Sequence, residues 1–319
     1  MQALPIAHSE TTKAAPSASL PLAYSTAALC WLLSAGVYIA AKWVAPEMGP
    51  WALCFWRLAL ACAILLPIVY HHYGAMIALI RSRAAEVVFI GAIGLTLCQG
   101  MIYTGLHDTN ATTAGIIMAL SPVMTMVIAR IVLGEPLGLW KAIGALFALA
   151  GMMIIVAHGD LIALMRLQFS AGELWIAGSA LCWGVYTVLL RRARFGIDLL
   201  PMVVLLLGAG SLVALPFYAW ELYSGDRSTL HANGLIALAY MAGPGGALMY
   251  YLYNRSVEIL GAGRASMLLY LQTLFVALLA YLLLGESLKS YDVFGAAFIV
   301  AGVILATVIK QKSPAANSQ

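Results

Sequence analysis

Charge is scarce in this sequence. Only 9% of its 319 residues are Asp, Glu, Lys or Arg, whereas 63% are apolar, and a water-soluble fold of this size has no way of keeping such a composition off its surface. No Asp or Glu falls in the middle third of any long apolar stretch: Glu86, Asp108, Glu173, Asp198, Glu258 and Asp292 all sit near their ends. Catalytic signatures are missing too: there is no HExxH, no phosphate-binding loop, no Ser/His/Asp set and no paired carboxylates. An enzyme is therefore not expected, and neither is a cofactor. Cys30, Cys54, Cys62, Cys98 and Cys182 form no CxxC pair and lie inside apolar stretches. That excludes a disulfide framework or a zinc site and leaves them as small packing residues, with no metal expected.

What remains is lipid-soluble sequence. A spanning helix needs roughly 20 mostly apolar residues, and ten such windows occur, near 22–42, 50–70, 84–105, 110–133, 138–157, 171–191, 198–220, 233–255, 263–284 and 290–309. The expected fold is an all-α membrane protein of ten transmembrane helices. Residues 1–20 read as a disordered tail without the pattern of a cleaved signal, and 311–319 as a second tail. With the N-terminus inside, Lys13, Arg81, Arg83, Lys141, Arg191, Arg192, Arg194, Arg255, Arg264, Lys310 and Lys312 share one side. Lys42, Arg166, Arg227 and Lys289 fall on the other. This positive-inside bias predicts both termini in the cytoplasm and makes the basic residues topology signals, with no nucleic-acid partner.

The chain repeats itself. Shifted by 151 positions, residues 114–151 fall on 265–302, and Leu133-Gly134-Glu135 meets Leu284-Gly285-Glu286, Gly144-Ala145 meets Gly295-Ala296, and Ala150-Gly151 meets Ala301-Gly302. Nearer the start of each half, Ala28-Leu29-Cys30-Trp31 returns as Ala180-Leu181-Cys182-Trp183, and Gly36-Val37-Tyr38 as Gly184-Val185-Tyr186. Repeats over 21–158 and 170–310 follow. Five helices per repeat give the second the opposite orientation, and inverted repeats of this kind place a small-molecule site near the midplane, served by alternating access.

The half-repeat, with Leu120-Ser121-Pro122 or Leu271-Gln272-Thr273, then the Leu-Gly-Glu turn, then the G-A…A-G helix, resembles the EamA module of the drug/metabolite transporter superfamily. The resemblance implies export of amino acids, metabolites or drugs, and within the family it leans toward aromatic amino acid exporters of the YddG kind. Its implied setting is a bacterial inner membrane, as a monomer or weak homodimer surrounded by lipid, carrying an amino acid, aromatic or other neutral, or a similar metabolite. Multidrug or phosphorylated-sugar transport and a membrane lipid-modifying enzyme are the alternatives; phosphate would need a basic midplane pocket for which only Arg57 is available.

Candidate cavity residues are polar or aromatic side chains at membrane depth. Trp31 and Trp183 lie near the centres of equivalent segments, with Tyr38 and Tyr186 close by; they either line a cavity or fill the core between the halves. Gln99 and Tyr103 share one helical face, serving a substrate or an interhelical hydrogen bond. Tyr250, Ser121, Tyr270 and Gln272 add hydrogen-bonding groups. Pro244 and Gly245 predict a bent or unwound segment, and Pro122 a kink that frees the carbonyl of Met118; each is either a gate or passive. Arg57 and Arg130 are expected to snorkel to an interface, although Arg57 could also meet a substrate carboxylate. The Gly134-Glu135-Pro136 and Gly285-Glu286-Ser287 turns read as helix stops, with Glu near the positive end of the following helix. The G-A…A-G faces suit tight helix packing within the monomer or across a dimer.

Overall fold

A computed structural model of the protein describes residues 20–44, 46–108, 117–118, 120–135, 138–156, 171–225, 231–284 and 289–307. Among these every regular element is helical: α1 (Leu20–Val44), α2 (Pro50–Leu65), α3 (Tyr73–Gly91), α4 (Cys98–Asp108), α5 (Ser121–Leu133), α6 (Leu139–Val156), α7 (Ala171–Ala193), α8 (Leu199–Tyr223), α9 (Ala232–Ala242), α10 (Met249–Leu260), α11 (Ala262–Met267), α12 (Tyr270–Leu284) and α13 (Ser290–Thr307). Five stretches, 21–41, 50–105, 171–193, 199–223 and 232–260, are long and apolar enough to cross a membrane. Shorter apolar helices run over 121–133, 139–154 and 290–306. The tails and the turn at 285–287 lie outside the described residues.

Several boundaries differ from the windows. The connection between α2 and the lower part of α3 is itself helical, passing through a 3₁₀ segment, Leu66–His72, before the axis breaks at Arg83 (φ −138°, ψ 30°). The windows leave a gap at 71–83, but exposed Ile68, Tyr70, Ile77 and Ile80 keep this connection apolar, and 50–105 forms one continuous apolar helical stretch. Pro122 lies in the first turn of α5 and starts that helix instead of kinking one. The second repeat also has a break near this position, between α11 and α12, although Thr273 stands where the first has proline, so a proline is not required for it.

The repeats interleave. The main partners of α1 are α9, α10 and α12 of the other half, and α7 packs on α4 and α5; α2 packs on α8 and α6 on α13. The last pair shows how the G-A…A-G faces are used. A Cβ on Gly144 would stand 2.5 Å from the carbonyl oxygen of Gly302, and one on Gly151 would stand 2.5 Å from that of Gly295. Each glycine meets the repeat-mate of the other, as a pseudo-twofold axis requires, so the tight packing is used within one chain. Gly134 ends α5 with φ 68° and its N–H on the carbonyl of Ala129. Glu135 reaches beyond its own next helix: its oxygens lie 3.4 Å from where Cβ atoms would be on Gly261 and Gly263, at the start of α11 in the other repeat.

Candidate substrate pathway

The α3–α4 rod and the α9–α10 rod are each interrupted by a π turn, Ala92–Leu97 and Gly243–Leu248. The two turns coincide residue for residue under the 151 shift. The second contains the predicted Pro244 and Gly245; the first, Ala-Ile-Gly-Leu-Thr-Leu, has no proline and went unforeseen. Both hold a glycine against a helix of the other half. A Cβ on Gly94 would collide with the Tyr186 ring at 2.1 Å, and one on Gly245 with Val37 at 2.3 Å. Widened turns displace carbonyls from ordinary i→i−4 bonding, and at membrane depth those oxygens need other donors.

Arg57 supplies them. Projecting from the middle of α2, it is 2% exposed. Its Nε donates to the carbonyl of Met241 (3.2 Å) and Nη2 to that of Gly245 (2.8 Å), while Nη1 donates to Gln99 Oε1 (2.7 Å) and to the Tyr103 hydroxyl (2.9 Å). The Tyr250 ring lies 5.6 Å from the guanidinium carbon, close enough for cation–π attraction. Arg57 therefore does not snorkel: the face of α2 that carries it is turned toward the two π turns, and donors occupied by neutral oxygens replace the water it gives up. No carboxylate is among its described partners. Arg130, by contrast, is exposed.

The aromatic pair expected at the centre also meets. Trp31 and Trp183 lie edge to face with ring centroids 6.3 Å apart, and Tyr253 touches both, at 5.6 and 4.7 Å. Tyr186 packs on Trp183 at 5.5 Å and donates to Asn254 Oδ1 (2.9 Å), while Thr187 and the Tyr253 hydroxyl are hydrogen-bonded. Trp31, Trp183 and Tyr186 are all buried, so the structure shows this cluster closed on itself. Tyr253 and Asn254 were not singled out from the sequence; the 151 shift, which lays Asn254 on Tyr103, was the available signal.

On the other flank Gln272 Nε2 donates to Ser34 Oγ (3.2 Å), and Tyr38 lies within hydrogen-bonding reach of Gln272 and near Tyr103 and Arg57. Tyr38 is 37% exposed although these neighbours are buried, which places accessible space beside the polar cluster. Ser121 and Tyr270 are buried nearer the α5 and α12 ends; the Ser121 hydroxyl has no hydrogen-bond partner among the described residues, nor does that of Tyr250. No group of three or more His, Cys, Asp or Glu side chains suited to a metal ion occurs among the described residues.

Residues 21–157 and again 170–308 match the profile of the EamA-like transporter family. The chain belongs to that family. An EamA-like protein is a membrane transporter for small molecules, and transport is this chain's activity in place of catalysis. Among its relatives, the transporter YyaM of Bacillus subtilis (strain 168) is 27% identical over 84% of this chain and 87% of its own length. The inner membrane transporter YicL of Salmonella typhimurium is 29% identical over 78% of this chain and 82% of its own. A more distant relative from Streptantibioticus cattleyicolor carries the name "Probable terminal-alkyne amino-acid exporter", with 22% identity over 70% of this chain and 74% of that one. One crystal structure matches the fold with a TM-score of 0.74 at 20% identity, covering 91% of this chain and 98% of the other.

Proposed function

We propose that this EamA-like transporter exports amino acids, aromatic or other neutral, or similar small metabolites across a bacterial inner membrane. It does so through ten spanning helices in two inverted repeats, 21–158 and 170–310, with both termini cytoplasmic. The observation that carries the reading is the polar and aromatic cluster enclosed where α2 packs on the two π turns, with Arg57, Gln99 and Tyr103 on one side and Trp31, Trp183 and Tyr253 on the other. Polar side chains at membrane depth mark a pathway, and interrupted helices at the repeat interface are where transporters hold substrate. The name of the Streptantibioticus relative supports amino acids as the cargo class.

Tyr38, Gln99, Tyr103, Ser121, Tyr250, Tyr270 and Gln272 then line the route, Trp31, Trp183 and Tyr186 supply its aromatic wall, and Pro122, Pro244 and Gly245 its flexible breaks. The interleaved packing determines which bodies move. Neither repeat can rock as a unit, because α1 belongs with α9, α10 and α12, and α7 with α4 and α5. The moving bodies are these mixed bundles, sliding along the α2–α8 contact. Arg57, the one buried cation among the described residues, set among neutral oxygens, suits a monoanionic or zwitterionic solute better than a sugar phosphate, whose second charge would lack a described partner. An efflux screen across the twenty amino acids in cells expressing the protein tests the reading; no amino acid exported above an empty-vector control would reject it.

A further inference from the structure

Arg57 carries a full charge, yet each of its described partners is neutral. A guanidinium owns five N–H donors; four described acceptors take one each, which leaves one N–H on Nη2 unassigned. Burying a cation without an anion is costly, and a paired arrangement recovers that cost best when the acceptor is a planar carboxylate. Beside it stands a second unsatisfied group. Tyr250 is 1% exposed and its hydroxyl has no hydrogen-bond partner among the described residues, although the ring lies against Arg57 and the phenol oxygen is in the field of Arg57 and near Tyr103. A buried hydroxyl left unpaired is destabilising by an amount that folding gains nothing from.

The cluster can also be reached. Gln99, which holds Nη1 through its side-chain oxygen, is only half-buried, and Tyr38 beside Tyr103 is open to a water-sized molecule. A carboxylate arriving from that side can take over the place of Gln99 Oε1 on Nη1 and the free N–H of Nη2, and can accept from the Tyr250 hydroxyl. The second repeat offers no equivalent, since the 151 shift puts Gly208 opposite Arg57.

We propose that Arg57 and the Tyr250 hydroxyl form the carboxylate subsite of this transporter, so that its substrates are organic acids or zwitterions held by their carboxylate beside the Gly243–Leu248 turn. This rests on the exporter reading and sharpens it. The deciding variant is Tyr250→Phe, which deletes a hydroxyl with no hydrogen-bond partner among the described residues and so leaves the fold unharmed.

Binding to the purified full-length protein is read by tryptophan fluorescence, with L-phenylalanine, L-phenylalaninamide, phenylacetate and inorganic phosphate as probes. L-phenylalanine and phenylacetate are expected to bind, and the amide at least about tenfold more weakly, the factor carried by a hydrogen bond to a charged group. Tyr250→Phe should weaken both carboxylates about tenfold and the amide, whose carbonyl takes only a neutral hydrogen bond, by clearly less. Equal binding of acid and amide, carboxylate affinities untouched by Tyr250→Phe, no carboxylate binding, or phosphate binding ahead of phenylacetate would each overturn the subsite. The two readings fail separately: carboxylate binding with no amino acid exported removes the exporter and keeps the subsite, while export of acid and amide alike keeps the exporter and removes the subsite.

Discussion

The guanidinium of Arg57 reaches from the first repeat to the carbonyl oxygen of Gly245 in the second, 2.8 Å away. That bond, with its companion to Met241, ties α2 to the widened turn of the α9–α10 rod, so the cation serves the fold as well as any ligand. Arg57→Lys keeps the charge but offers three donors in place of five and no planar fork. Each buried oxygen left without a donor costs about 1–3 kcal/mol. A drop in melting temperature of the detergent-purified protein, together with loss of transport, is the expected outcome; unchanged values for both would show that the bonds are dispensable.

At the α6–α13 crossing, Gly144→Ala forces a methyl group into the backbone of Gly302, and the same holds for Gly151→Ala against Gly295. Either should lower the melting temperature by several degrees, in line with about 1–3 kcal/mol for overpacking. Gly74, with no atom within 4 Å of a built Cβ, is the control: Gly74→Ala should leave the melting temperature unchanged or slightly raised.

Trp31 and Trp183 are buried against each other, so Trp→Ala at either leaves a void worth about 3–5 kcal/mol and lowers stability along with transport. Trp31→Phe and Trp183→Phe retain an aromatic body. If the cluster opens to substrate during the cycle, these milder variants should transport more slowly in liposomes while melting near the wild-type temperature. Wild-type flux in both would assign the indoles to packing.

Topology can be read directly with impermeant thiol reagents in a cysteine-free background. Ser224→Cys, at the end of α8, should be labelled from the periplasm, and Arg194→Cys, between α7 and α8, only after the membrane is breached. Equal labelling of both in intact cells would contradict the inverted ten-span arrangement.

Flux into proteoliposomes should follow the substrate gradient and respond little to an imposed proton gradient, because a coupled carrier must bind its ion differently in its two states and the partners of Arg57 are neutral oxygens. Sodium is varied separately, since carbonyls at Gly243–Leu248 could serve as ligands without any acid. Uphill accumulation that a protonophore collapses would reject facilitated transport.

The sequence made the helical class, the duplication and the family legible, because apolar length, the Leu-Gly-Glu turn and the paired glycines are each local patterns. It hid what depends on which face of a helix meets which neighbour. Arg57 lies about two turns from the start of its helix, a depth from which snorkelling is reasonable; only the orientation of α2 toward Pro244 turns it inward. The π turn at Ala92–Leu97 carries no proline and emerges only when its counterpart is laid over it. Trp31 and Trp183 were readable as equivalent, yet not as closed on each other, since mutual contact depends on how α1 and α7 are tilted.

The crossing of α6 and α13 has a further consequence. Because Gly144 meets Gly302 while Gly151 meets Gly295, a single half of this protein is complementary to an upside-down copy of itself along that seam. There the two halves had no need to diverge after duplication in order to fit. At α2 the reverse holds: the repeat-mate of Arg57 is Gly208, and the likeness between the copies was given up at the position where, among the described residues, a cation is buried.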